Sequence, residues 1–278
     1  MIAGGLAALT MFLMTAAPAR PAAPAVPRLP SPKVTCTATE LILGDPAAAI
    51  SCSVTVPEGQ AVEASSNVGR LVRAGPLSGG VQRFDYRPPS EKVPRVAQLA
   101  FWRTDGSPEQ APEVELVRIS LLGRQTLTVA TRPGAQVEVA LGRRRFGPVK
   151  ASPEGSAQLD VEIPPEATGA VVFARSGGQV REDKLPLEVP VTNPLHAVMV
   201  PQTLTPGASA WLWVLHHDKL PGRQLEFAHR GLVFERLSFA RDRGLFRVTV
   251  KPDAKQARVE VRLEGAPEAS IVMENLLP

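Results

Sequence analysis

A pattern that recurs three times constrains the fold of this chain more than any other feature. A turn signal followed by alternating residues stands at Pro57–Ala64, at Pro133–Val139 and at Pro206–Val214. Each is followed by a Gly-led run ending on proline, at Gly80–Pro89, Gly155–Pro165 and Gly244–Pro252, and then by a further apolar run. Alternation with period two places apolar side chains on one face of an extended strand. Proline ends such a strand because it has no N–H to give to the ladder. The distances Pro57 to Pro88 and Pro133 to Pro164 are both 31 residues, and Pro206 to Pro252 is 46, so the third unit carries an insertion of 15 residues. An internal period outranks segment-by-segment reading. Units of roughly 75–90 residues with many short strands predict all-β sandwiches. The one stretch long enough to be weighed as a helix, Glu109–Leu122, has no capping box and many β-branched residues, so it too reads as a strand.

Composition excludes several classes. Hydrophobic residues make up 44% of the 278, enough for real cores. The 22 Gly and 28 Pro fit turn-rich β structure and not a helical bundle, and four His argue against a His-rich metal enzyme. The net charge is +4. It divides as −1 over 33–119, +1 over 120–190 and +2 over 191–278, with Arg20 and Arg28 supplying the other two, so no unit carries a nucleic-acid footprint.

Residues 1–19 are predicted as a signal peptide or N-terminal anchor. They are apolar and uncharged, with Ala17-Pro18-Ala19 offering small residues for cleavage. In residues 20–32 prolines continue the every-third-residue spacing begun at Pro18, matching the three residues per turn of polyproline II. This linker is expected to be an unpaired spacer, with folded structure from Lys33. The expected units are 33–119, 120–190 and 191–278. Their short junctions predict a stiff rod.

The order of turn, strand, Gly-led strand, proline corner and strand resembles the tandem immunoglobulin-like modules of bacterial envelope and secreted proteins, across residues 33–278. The Cys…Trp…Cys spacing of antibody domains is absent, since Trp102 follows both cysteines. Only architecture therefore carries over. The resemblance implies three tandem Ig-like β-sandwiches, with spacer, adhesion or partner-binding work and no catalytic residues.

Cys36 and Cys52 are the only cysteines, and in an exported chain they predict one disulfide. Arg143, Arg144 and Arg145 follow a strand and precede Phe146-Gly147-Pro148, which predicts a basic hairpin tip able to dock an acidic partner. Trp211 and Trp213 share one side of a strand and Leu212 and Val214 the other, so a central strand with the tryptophans in the core is expected. Exposed, the same pair would be a sugar-stacking or protein-docking platform. His216, Asp218 and His229 are the only candidate metal set, without a recognised ligand spacing, and no metal or other cofactor is expected. No GxSxG, P-loop or GxGxxG occurs. The sequence therefore predicts a non-enzymatic, exported scaffold, adhesion or assembly protein. It would dock to an envelope or extracellular protein through Arg143–Arg145 and the third-unit insertion. A carbohydrate-binding role through Trp211 and Trp213 is the alternative, and a metal-dependent hydrolase accessory a more remote one. No nucleic-acid partner is expected, and membrane contact only through an uncleaved N-terminal anchor.

Overall fold

The computed structural model describes residues 26–278 apart from 58–59, 108 and 219–224. The expected export segment and the start of the Pro-rich linker lie outside the described residues. Within them every regular element is a strand. The first ten are β1 (Arg28–Leu29), β2 (Lys33–Cys36), β3 (Glu40–Ile42), β4 (Ile50–Thr55), β5 (Val62–Ser66), β6 (Arg70–Arg73), β7 (Val81–Arg87), β8 (Arg95–Arg103), β9 (Ala111–Pro112) and β10 (Val114–Ala130). There follow β11 (Gln136–Leu141), β12 (Arg144–Lys150), β13 (Ser156–Ile163), β14 (Gly169–Ser176) and β15 (Gln179–Pro186). The last are β16 (Leu195–Val200), β17 (Ser209–His216), β18 (Leu225–Arg230), β19 (Leu232–Phe239), β20 (Arg243–Val250), β21 (Arg258–Leu263) and β22 (Ala266–Met273).

The first sandwich has one antiparallel sheet in the order β2-β4-β7-β6 and a facing sheet of β10, β8 and β5 with β3 running parallel to β10. This is the A-B-E-D against C-F-G order of the immunoglobulin fold, its first strand split between the sheets as β2 and β3. Strict alternation makes the core. In β4, Ile50, Cys52 and Val54 are buried while Ser51, Ser53 and Thr55 face water. They meet Leu99, Phe101, Ile119 and Leu121 of the other sheet, with Phe84 edge-on to Phe101 at 5.6 Å. Cys36 and Cys52 stand opposite each other on β2 and β4 and form a disulfide. The bridge lies within one sheet, unlike the inter-sheet bridge of antibody domains.

The 17-residue strand β10 joins the first sandwich to the second and passes position 119–120, where the sequence places a boundary, without a break. Val114–Leu121 pair with β8, and Gly123–Ala130 pair with β13. Gly123 marks the change of partner, for a Cβ there would stand 2.8 Å from Cγ of Pro94. The second sandwich sets the sheet β12-β11-β14-β15 against β13 and the end of β10, around Val137, Val139, Leu159 and Val161. The third sets β16-β17-β20-β19 against β18-β21-β22, again A-B-E-D against C-F-G, around Leu212, Val214, Phe246, Val259 and Val261. Part of its longer repeat goes into β18 and β19, of six and eight residues, where β5 and β6 have five and four.

Two expectations are corrected. The sandwiches do not line up as a rod, because the third folds back so that its β16–β20 sheet lies on the outside of the β5–β8–β10 sheet of the first. Both outer faces are apolar. Ala100, Trp102, Val114 and Leu116 on one side meet Val198, Trp211, Trp213, Leu215 and Leu245 on the other, and leaving such faces in water is unfavourable. Nor is the linker wholly unpaired: β1 runs parallel to β9, and Leu29 is buried. Leu29 is an apolar residue in a proline-rich run, and the Pro27 and Leu29 carbonyls accept hydrogen bonds from Ala111 and Glu113. Ordered pairing therefore begins ahead of Lys33.

Candidate functional site

The seam between the first and third sandwiches holds the tryptophan pair singled out in the sequence, while Arg143–Arg145, the Cys36–Cys52 bridge and His229 lie elsewhere. Along β17, Ala210, Leu212 and Val214 point into their own sandwich, while Trp211, Trp213 and Leu215 point out of it. The outward row is nonetheless buried. Trp211 is 4% exposed, Trp213 1%, and the facing Trp102 1%. Trp213 donates its indole N–H to the Pro112 carbonyl at 2.7 Å. The guanidinium of Arg247 stacks over Trp211 at 4.9 Å, and that of Arg28 over Trp213 at 5.8 Å. The tryptophans thus occupy a second core between sandwiches.

A polar rim surrounds this apolar centre. Gln98 donates to the Pro194 carbonyl at 2.8 Å, and Arg243 to the Val114 carbonyl at 3.0 Å. Arg118 donates to the His217 carbonyl and to the Asp242 carboxylate. Burial works to raise the Asp242 pKa, but hydrogen bonds from Arg243 and Arg118 hold it below the usual value. Arg28 pairs with Glu113 and reaches the Ser238 hydroxyl.

Ser65 and His196 meet across the seam at 3.0 Å, Oγ to Nε2. Burial lowers the His196 pKa to about 4. Its Nδ1 has no hydrogen-bond partner among the described residues. A serine nucleophile needs a basic imidazole oriented by a third group. Burial makes this imidazole a weak base, and its Nδ1 has no orienting partner among the described residues, so His196 fills neither requirement and the pair is an inter-sandwich hydrogen bond. Two clefts open along the seam. One of about 630 Å³ lies beside Trp102 and Trp211 and is also lined by Leu29, Arg103, Met199 and Pro201. Arg103 there is committed to Asp105 through two hydrogen bonds. The other, about 450 Å³, is lined by Ser65, Asn67, Arg95, Asn193 and His196.

Arg143, Arg144 and Arg145 do form the β11–β12 hairpin end, but their environments differ. Arg144 bridges Glu40 of the first sandwich and Glu162 of the second. Arg145 pairs with Glu138 and lies over the Phe173 ring. Arg143 is exposed and makes no ion pair among the described residues. The histidines are not assembled for a metal. The Nδ1 of His216 accepts the backbone N–H of Asp218, its ring stacks on His217, and His229 sits in the opposite sheet against Phe234. Among the described residues no group of three His, Cys, Asp or Glu side chains stands close enough to hold a metal ion. Sequence reasoning did not find the roles of Arg118, Gln98, His196 and Trp102. The available signal was the doubled apolar row on β17, which a single sandwich cannot bury.

No protein-family model and no curated protein sequence matches the chain. Among solved structures, the FdeC adhesin of Escherichia coli is 10% identical, with a TM-score of 0.26, over 89% of this chain and 96% of that one. InvD of Yersinia pseudotuberculosis is 10% identical at 0.26, over 83% and 92%. The titin fragment I67–I69 is 10% identical at 0.28, over 90% and 100%. Overlaps this loose carry no argument about function, and the order of strands within the sheets carries the fold. By that order the chain is an all-β protein of Ig-like sandwich modules.

Proposed function

We propose that this is a non-catalytic exported protein, a scaffold or adhesion component of the cell envelope or extracellular space, that works by docking to another protein. The observation that carries the reading is the burial of the tryptophan row in the seam. With Trp211 and Trp213 buried against Trp102 and Leu116, no aromatic sugar platform is offered at that strand. What the chain presents to a partner is sandwich faces, strand edges and hairpin ends. The Cys36–Cys52 bridge supports an oxidising compartment. Among the described residues Arg143 is the cation of the basic hairpin without an ion pair, and β18–β19 form the enlarged part of the third sandwich; these are the proposed contact regions.

The test is a cross-linked pull-down of the full chain from its native envelope, run beside Arg143→Ala. Stoichiometric recovery of one or two envelope proteins, weakened by the substitution, is the expected result. Retention on wall or capsule polysaccharide with no protein recovered would overturn the reading in favour of a glycan ligand.

A further inference from the structure

We propose that the free edge of β10 joins two copies of this chain in a shared sheet. Between Gly123 and Ala130, β10 has one strand neighbour among the described residues, β13. The register to β13 is unbroken, and Thr131 N–H donates to the Gly155 carbonyl at the end of the same ladder. Hydrogen-bonded pairs alternate along an antiparallel ladder. The odd-numbered residues therefore turn their N–H and C=O toward β13. The even-numbered ones, Arg124, Thr126, Thr128 and Ala130, turn theirs to the opposite edge. Upstream that edge is occupied by β3, where Ser120 donates to the Thr39 carbonyl and Leu43 to the Leu122 carbonyl. After Leu43 the chain that follows β3 departs, and among the described residues no strand pairs with the edge beyond it.

The composition of this edge sets it apart from the other edges of the second sandwich. β15 carries Arg181, Glu182, Asp183 and Lys184 and ends at Pro186. β12 carries Arg144, Arg145, Pro148 and Lys150, and β13 carries Asp160 and Glu162. Charges and prolines are the means by which natural edges refuse another strand. From Gln125 to Ala130 the sequence is Gln-Thr-Leu-Thr-Val-Ala, with no charge and no proline, and Thr126, Thr128 and Ala130 are exposed. Arg124, at the upstream end beside β3, is the one charge on this edge, and from Gln125 on it is a strand-forming edge without charge or proline.

A second copy is the occupant that fits. The open stretch Arg124–Ala130 is centred on Leu127, so antiparallel pairing about a two-fold axis through that residue uses its whole length. Thr126 then faces the partner's Thr128, a favourable cross-strand pair that occurs twice by symmetry. Leu127 faces the partner's Leu127 on the core side, and Arg124 faces the partner's Ala130. No like charges are opposed, and the sheet runs continuously through both copies. This inference concerns self-association and stands whether or not the docking reading holds.

Sedimentation equilibrium on the purified full chain tests it. The expected species is a dimer of twice the monomer mass. Leu127→Cys should give a disulfide-linked dimer on a non-reducing gel, because a non-hydrogen-bonded pair brings Cα atoms to about 4.5 Å. Thr128→Pro removes one free-edge donor per copy and leaves the β13 ladder intact, and should raise the dimer dissociation constant about tenfold or more. If circular dichroism shows that this variant is unfolded, Thr128→Lys replaces it, with the same loss expected. A chain that stays monomeric up to about 1 mM overturns the proposal. So does a dimer insensitive to the folded Thr128 variant, or one that Leu127→Cys does not cross-link.

Discussion

The indole N–H of Trp213 reaches across the seam to the Pro112 carbonyl, 101 residues earlier in the chain, at 2.7 Å. That bond sits inside an apolar cluster, so it fixes where the third sandwich lands on the first. Trp213→Phe keeps most of the ring but leaves the Pro112 oxygen without its donor, and should cost about 1–3 kcal/mol. Trp213→Ala adds a cavity and should cost about 3–5 kcal/mol. Urea unfolding reads both. An unchanged midpoint in Trp213→Phe would mean that the two sandwiches are not energetically coupled.

Fluorescence offers an independent check, because all three tryptophans lie in the one seam and none is more than 4% exposed. The native protein should show blue-shifted emission and weak acrylamide quenching, and added oligosaccharides should change neither. Strong quenching in the folded protein, or a saturable response to sugar, would show that the seam opens and would revive the glycan alternative.

The pH dependence follows from His196. Its pKa falls from the ordinary 6.5 to about 4 because it is buried. The unfolded chain therefore takes up a proton near pH 6.5 while the folded chain does not until about pH 4. Stability is complete above about pH 6.5 and declines as the pH drops from there to about 4, by up to roughly 3 kcal/mol. Burial also lowers the pKa of His217, so it adds to the slope in the same direction. Chemical denaturation at pH 7.5 and pH 4.5 should show the loss, and His196→Gln should reduce it. Equal pH slopes in the two proteins would remove His196 as the cause.

The disulfide closes a short loop, since Cys36 and Cys52 are 16 residues apart. Reduction should destabilise the first sandwich by about 3 kcal/mol. Denaturant midpoints with and without reductant measure this. A shift smaller than about 1 kcal/mol would show that the β2–β4 pairing alone holds the strand in place.

Local chemistry was legible in the sequence, and long-range association was not. The alternation of Ile50, Cys52 and Val54 with Ser51, Ser53 and Thr55 gave a half-buried strand, and the proline corners gave the ends of β7, β13 and β20. The disulfide pair followed from there being only two cysteines. Trp211 and Trp213 showed that β17 is apolar on both faces, but a sequence cannot say whether the second face is covered by its own module or by another. The rod expectation failed at that point. Arg143–Arg145 illustrate the same limit: three adjacent guanidinium groups look equivalent in sequence, and only the fold brings Glu40, 104 residues before Arg144, within reach of one of them.

That difference among the arginines gives the last prediction. Arg144 ties Glu40 on β3 to Glu162 on β13, on either side of the continuous strand β10. The side chain is 30% exposed, and Glu40 is more open still, so solvent screens the network. Arg144→Ala should therefore lower global stability by no more than about 1 kcal/mol. Its larger effect should be on the angle between the first and second sandwiches, which would be held by β10 alone. Spin-label distances between the two sandwiches should broaden in Arg144→Ala and stay narrow in Arg143→Ala, whose side chain makes no ion pair among the described residues. Equal distributions in the two variants would show that β10 sets the angle unaided and that the Arg144 bridge only decorates it.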